Sequence, residues 1–106
     1  VTTRGRPRTF IVECYAPGID EAAVAAAVAR ARAAVARLAA GGDQIEYEGA
    51  VLVAEDEVVF HTFGADRPEV VERASLEAGL GHERVVESIA IDGKDIRSGG
   101  RPTPGE

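Results

Sequence analysis

Residues 44–63 read QIEYEGAVLVAEDEVVFHTF. Two β-rich segments, 44–54 and 57–63, lie on either side of a short Glu55-Asp56 turn. So short a connection makes them an antiparallel hairpin. Gly49 interrupts the first segment and is a candidate bulge. In the second, Val59, His61 and Phe63 share one face, and Val58, Phe60 and Thr62 share the other.

Upstream, residues 20–40 have helical periodicity. Val24, Val28, Ala31, Val35 and Leu38 form an apolar stripe, Asp20 is the N-cap, and Gly41-Gly42 closes the segment. The rest of that surface is mostly alanine, so the helix can lie close to a sheet. Before it, residues 9–16 (TFIVECYA) read as a strand ended by Pro17-Gly18. Downstream of the hairpin, Asp66 caps a second helix with Pro68 in its first turn, and Val70, Val71, Ala74 and Ala78 form its buried stripe. Residues 84–91 (RVVESIAI) are the last strand. The order strand, helix, strand, strand, helix, strand is the ferredoxin-like split βαβ arrangement. It predicts an α+β domain over 9–91, with a four-stranded antiparallel sheet in the order 4-1-3-2 and both helices on one face. Residues 1–8 read as a flexible arm and 92–106 as a flexible tail.

At 106 residues the chain has the length of one domain, and its net charge of −6 argues against a nucleic-acid partner. Only 5% of residues are aromatic, which weakens base stacking further. The single cysteine, Cys14, excludes an internal disulfide and a Cys-based zinc site, and reads as inert packing under a helix. There is no apolar run of the roughly 18–20 residues that a membrane helix needs. The expected location is the cytoplasm. A Val at position 1 and richness in Ala, Arg, Val and Gly fit a high-GC bacterial gene. No phosphate loop, nucleophile elbow or zinc helix is present, and no cofactor is implied. Arg30, Arg32 and Arg37 read as solvated, as do His82 and the turn carboxylates Glu55, Asp56 and Glu57.

The stretch from Phe10 to Gly18 is followed by the Ala/Arg-rich helix, by Glu55-Asp56-Glu57 with Phe60 and Phe63, by Ala78-Gly79-Leu80, and by Arg84 to Glu87. Together these resemble a family of small, mostly actinobacterial proteins of unknown function that includes a nickel-binding member. The resemblance implies a ferredoxin-like domain that associates through its sheet, as in the dimeric α/β-barrel superfamily. A homodimer or higher homo-oligomer is therefore expected. The histidines near the nickel-binding member's first strand have no counterpart in Glu13-Cys14-Tyr15.

With Phe10, Val12, Cys14, Phe60 and Val86 assigned to the helix face, the complementary set lines the open face. That set holds Ile11, Glu13, Tyr15, Val59, His61, Phe63, Val85, Glu87 and Ile89. An apolar face of this kind needs a partner or a ligand. Within it Glu13, His61 and Glu87 would form an acid–base trio suited to proton transfer. Tyr15 and Tyr47 would orient a substrate, with Phe63, Ile11, Val59 and Ile89 as apolar walls. The expected function is a small-molecule-binding protein or cofactor-independent enzyme, acting for example in isomerisation, cyclisation or oxygenation of an aromatic or polyketide-like substrate. Two alternatives stand beside it: a nickel-type metal-binding protein, and a structural or regulatory interaction domain.

Overall fold

Alternating burial along the first strand fixes which way the sheet faces. In the computed structural model, which describes residues 8–91, strand β1 spans Arg8–Tyr15. Phe10, Val12 and Cys14 are buried, while Ile11 and Glu13 are half-buried and Tyr15 is exposed. The remaining elements are helix α1 (Glu21–Ala40), β2 (Ile45–Val53), β3 (Val58–Ala65), α2 (Pro68–Ala78) and β4 (Arg84–Ser88). Every strand pair is antiparallel and the order is β2-β3-β1-β4, the ferredoxin-like arrangement. The expected arm and tail fall almost wholly outside the described residues; Arg8 begins β1.

Local chemistry explains the element ends. Asp20 caps α1 through its carboxylate, which accepts from the Ala23 N–H at 2.9 Å. Asp66 does not cap α2. The N-cap is Arg67, which makes no side-chain capping bond, and Pro68 at the first helical position needs no N–H partner there. Gly79 ends α2 in the left-handed region at φ 66°. A 3-10 turn, Ala54–Asp56, joins β2 to β3, and Glu57 follows it with φ 56°. That residue's carboxylate accepts from the Gly18 N–H at 3.1 Å, which ties the hairpin to the β1–α1 loop.

The bulge lies where Gly49 marks it. Tyr47 pairs with Phe63 and Gly49 with Thr62, so Glu48 is the extra residue. Gly49 has φ 134°, a conformation open chiefly to glycine. The consequence is positional: Ala50, a small residue, lies opposite His61.

The core lies between the sheet and the helices. It is built from Phe10, Val12, Phe63, Val70 and Val71, with Ala31, Ala34 and Ala74 keeping the layers close. Helix α1 packs on β2 and on α2, and α2 packs on β4, β3 and β1. No described helix is long and apolar enough to cross a membrane.

Candidate functional site

Cross-strand partners share a face, so the register decides which polar groups meet. Val12 pairs with His61 and with Val85, and Phe10 pairs with Phe63 and Glu87. Val59, His61, Phe63, Val85 and Glu87 therefore stand on the helix-covered side. Phe60 and Val86 stand on the open side with Ile11, Glu13 and Tyr15. For β3 and β4 this reverses the expected facing, and the acid–base trio does not assemble.

Each member of that trio has its own setting. The Glu13 carboxylate accepts from Arg84 Nε at 2.8 Å on the open face. Glu87 lies on the edge strand, largely exposed, and pairs with Arg8 at 3.4 Å. Ile89 lies beyond the end of β4 and is exposed. His61 is 2% exposed, deep in the core side. Tyr47, Phe63 and Val59 accompany it there, whereas Tyr15 and Ile11 remain with Glu13.

His61 is built into its place. Its Nδ1 lies 2.8 Å from the Tyr47 hydroxyl. The Tyr47 ring meets Phe63 edge-on at 5.1 Å, and the Arg32 guanidinium lies over it, 5.2 Å from its centroid. Burial, helped by the positive charge of Arg30, pushes the imidazole down to about 4, so it is neutral near pH 7. Burial pushes Tyr47 up to about 12, against the pull of Arg32, so its hydroxyl keeps its proton. Two tautomers satisfy the contact: the hydroxyl donates to Nδ1 with the hydrogen on Nε2, or Nδ1–H donates to the hydroxyl oxygen. Either way Nε2 has no hydrogen-bond partner among the described residues.

His61 lines a cavity of about 230 Å³ between the first half of α1, the end of β1 and β3. Its other polar lining groups are Arg30 and Cys14. Burial pushes the Cys14 thiol up to about 11, with Glu83 and Glu13 adding to the effect, so it is a neutral, unreactive wall. Ile19, Val24, Val59 and Leu80 supply the apolar surface, and Ala16, Ala23, Ala26 and Ala27 complete it. The alanines are the cause of the space. At the second half of α1, Val35 and Leu38 reach the core; at the first half Ala23, Ala26 and Ala27 leave a gap that Val24 and Arg30 border but do not fill. Exposed Ala23, Ala26 and Arg30 mark the mouth.

Arg30, Ile19 and Leu80 lie outside the site that the sequence predicts. The alanine run is the available signal, but in sequence it predicts close packing along the whole helix as readily as a gap. Arg30 is not merely solvated: its Nε donates to the Ala78 carbonyl at 2.7 Å, across to the end of α2. His82 is likewise engaged, its Nδ1 lying 2.6 Å from the hydroxyl of fully buried Ser75. That contact ties the loop after α2 to the helix. Among the described residues, no three His, Cys, Asp or Glu side chains are placed to hold a metal ion together.

No protein-family model matches the chain, and no curated protein matches it. The fold is similar to the crystal structure of SCO4226 from Streptomyces coelicolor A3(2), with a TM-score of 0.61 and 18% sequence identity. The match covers 76% of this chain and 94% of that one. At that identity the likeness establishes a shared fold with an actinobacterial protein.

Proposed function

We propose that this protein binds a small organic molecule in the cavity beneath the first half of α1, with His61 as its polar anchor. One observation carries this: a buried neutral imidazole, held at Nδ1 and unpartnered at Nε2, stands in the wall of a mostly apolar cavity. An unsatisfied buried polar group costs about 1–3 kcal/mol, and a ligand that bonds it recovers that energy. An apolar pocket with a few fixed polar groups is the usual form of a small-molecule site. The geometry favours binding over proton-transfer catalysis. A histidine pushed down to about 4 is a weak base at neutral pH, and neither Glu13 nor Glu87 stands beside it.

A fragment titration of the isotopically labelled protein, followed by NMR, tests this. Binders are expected to shift resonances of Cys14, Val24, His61 and Leu80. Fragments that shift only open-face residues, such as Ile11, Phe60 and Val86, would move the site to that face.

A second reading, self-association through the open face, is favoured by a separate observation. Ile11, Val58, Phe60 and Val86 are only half-buried there, and Val51 is 59% exposed. A contiguous apolar face of this kind is characteristic of an interaction surface. Sedimentation analysis checks it: a dimer or larger species is expected, and Phe60→Asp should yield monomer. A wild-type protein that sediments as a monomer at high concentration rejects this reading.

A further inference from the structure

We infer that the ligand is a small apolar monocarboxylate, its carboxylate lying between Arg30 and His61 and its hydrocarbon body against Ile19, Val24, Val59 and Leu80. The inference rests on the cavity being a ligand site and goes further in naming the charge and size of what enters it.

Charge comes first. The chain carries a net charge of −6, yet no carboxylate lines this cavity and its one charged lining residue is Arg30. The bond from Nε to the Ala78 carbonyl fixes the guanidinium at the mouth, and its terminal nitrogens bond no described protein group. A guanidinium with free, fixed donors suits a carboxylate. His61 adds a donor deeper in. When the Tyr47 hydroxyl donates to Nδ1, the ring hydrogen sits on Nε2, the ring nitrogen that bonds no described group. An anion selects that tautomer, because the other presents a lone pair to it. Tyr47 is then a positioning residue that acts through His61.

Size and polarity narrow the class. A dry cavity of about 150 Å³ is known to admit benzene. About 230 Å³ leaves room for such a ring, or a branched chain of similar bulk, with a carboxylate attached. Phosphate or sulfate would exchange its water for walls that are chiefly Ile, Val, Leu and Ala, with only two strong donor side chains and a thiol in return. A singly charged group on an apolar body loses the least water and fills the most surface.

The test is a titration of the labelled 106-residue protein with four probes: phenylacetate, phenylacetamide, acetate and inorganic phosphate. Phenylacetate is expected to bind about tenfold more tightly than each of the others. Shifts are expected at His61, Val24 and Leu80. Phenylacetamide binding equally at the same residues would overturn the anion assignment and leave the cavity a ligand site. Acetate or phosphate matching phenylacetate would overturn the apolar body. No shift of cavity residues with either aromatic probe would overturn both the class and the site. Arg30→Gln should weaken phenylacetate about tenfold while leaving phenylacetamide within about twofold, with Arg30→Lys recovering part of the loss. A merely structural role for the bond to Ala78 would weaken both ligands alike, and that result rejects the carboxylate contact. Ala27→Leu narrows the cavity from within and should abolish binding. Ala23→Leu, at an exposed position by the mouth, gives the same reading if the first variant fails to fold. Undiminished phenylacetate binding in a folded variant would place the ligand elsewhere and overturn the inference.

Discussion

His61 stands between Val12 and Ala50 on the covered face; Glu13 stands between Phe60 and Arg84 on the open face. Val12 and Glu13 are successive residues of one strand, so one step in register separates the two surroundings. The covered face keeps its polar group by removing its charge and giving it Tyr47. The open face pairs its carboxylate with a guanidinium beside water. Burial therefore favours ligand recognition by hydrogen bonding on one side, while the other favours a partner that can cover apolar residues and meet an ion pair.

The contrast breaks most sharply at two phenylalanines. Phe63 is fully buried on the covered face, and Phe60 is half-buried on the open face. Phe63→Ala should cost about 3–5 kcal/mol by urea unfolding, because it removes a core ring and leaves a cavity. Phe60→Ala should cost about 1 kcal/mol or less in the monomer. Equal losses, with an unfolding midpoint that rises with protein concentration, would show that a second copy buries the open face.

Acid sharpens the comparison next. Above pH 6.5 His61 is neutral in both the folded and the unfolded chain. As pH falls from 6.5 toward about 4, the unfolded chain takes up a proton that the folded one refuses, so stability is lost. Below about 4 both forms are protonated and the loss levels off. The expected contribution is about 2–3 kcal/mol across that window. Tyr47 bonds the ring and Cys14 and Arg30 share its cavity; burial holds the Tyr47 hydroxyl and the Cys14 thiol neutral throughout that window. Carboxylate effects are common to the wild type and His61→Gln, so the stability difference between them isolates the imidazole. A difference that stays flat from pH 7 to 4 would mean the ring is hydrated and the covered face is not dry.

The element order, the strand order and the facing of β1 could be read from the chain because their signals reinforce one another. In β1 one alternating set, Phe10, Val12 and Cys14, lacks a charge, and the other contains Glu13. Strand β3 offers no such asymmetry. Val59 and Phe63 flank His61 on one set, Val58 and Phe60 precede Thr62 on the other, and a titratable histidine points by type to the open side. The better signal is Thr62 with Gly64 against Phe63 with Ala65, since the strand runs on to Ala65. In β4, Val85 and Val86 are interchangeable by type, so only the pairing of Val12 with Val85 decides. The cavity has a weaker signature in the sequence. Alanine on a helix face gives close packing or an unfilled gap depending on what lies opposite, and that depends on the tertiary approach of α1 to β1 and β3.

The smallest effect tests the open face at the residue first expected to be catalytic. Glu13 and Arg84 are direct cross-strand neighbours with N···O 2.8 Å, but the arginine side chain is 67% exposed. Water screens such a pair, so a double-mutant cycle with Glu13→Gln and Arg84→Gln should give about 0.2–1 kcal/mol of coupling. The coupling should shrink as salt rises toward 1 M, where the Debye length is about 3 Å. A coupling well above that range, and insensitive to salt, requires a drier setting than one chain supplies. Only a partner lying across Ile11, Phe60 and Val86 would provide it. The cycle thus measures how wet the open face is in solution, and so whether the two faces differ because of the fold itself or only until a second copy arrives.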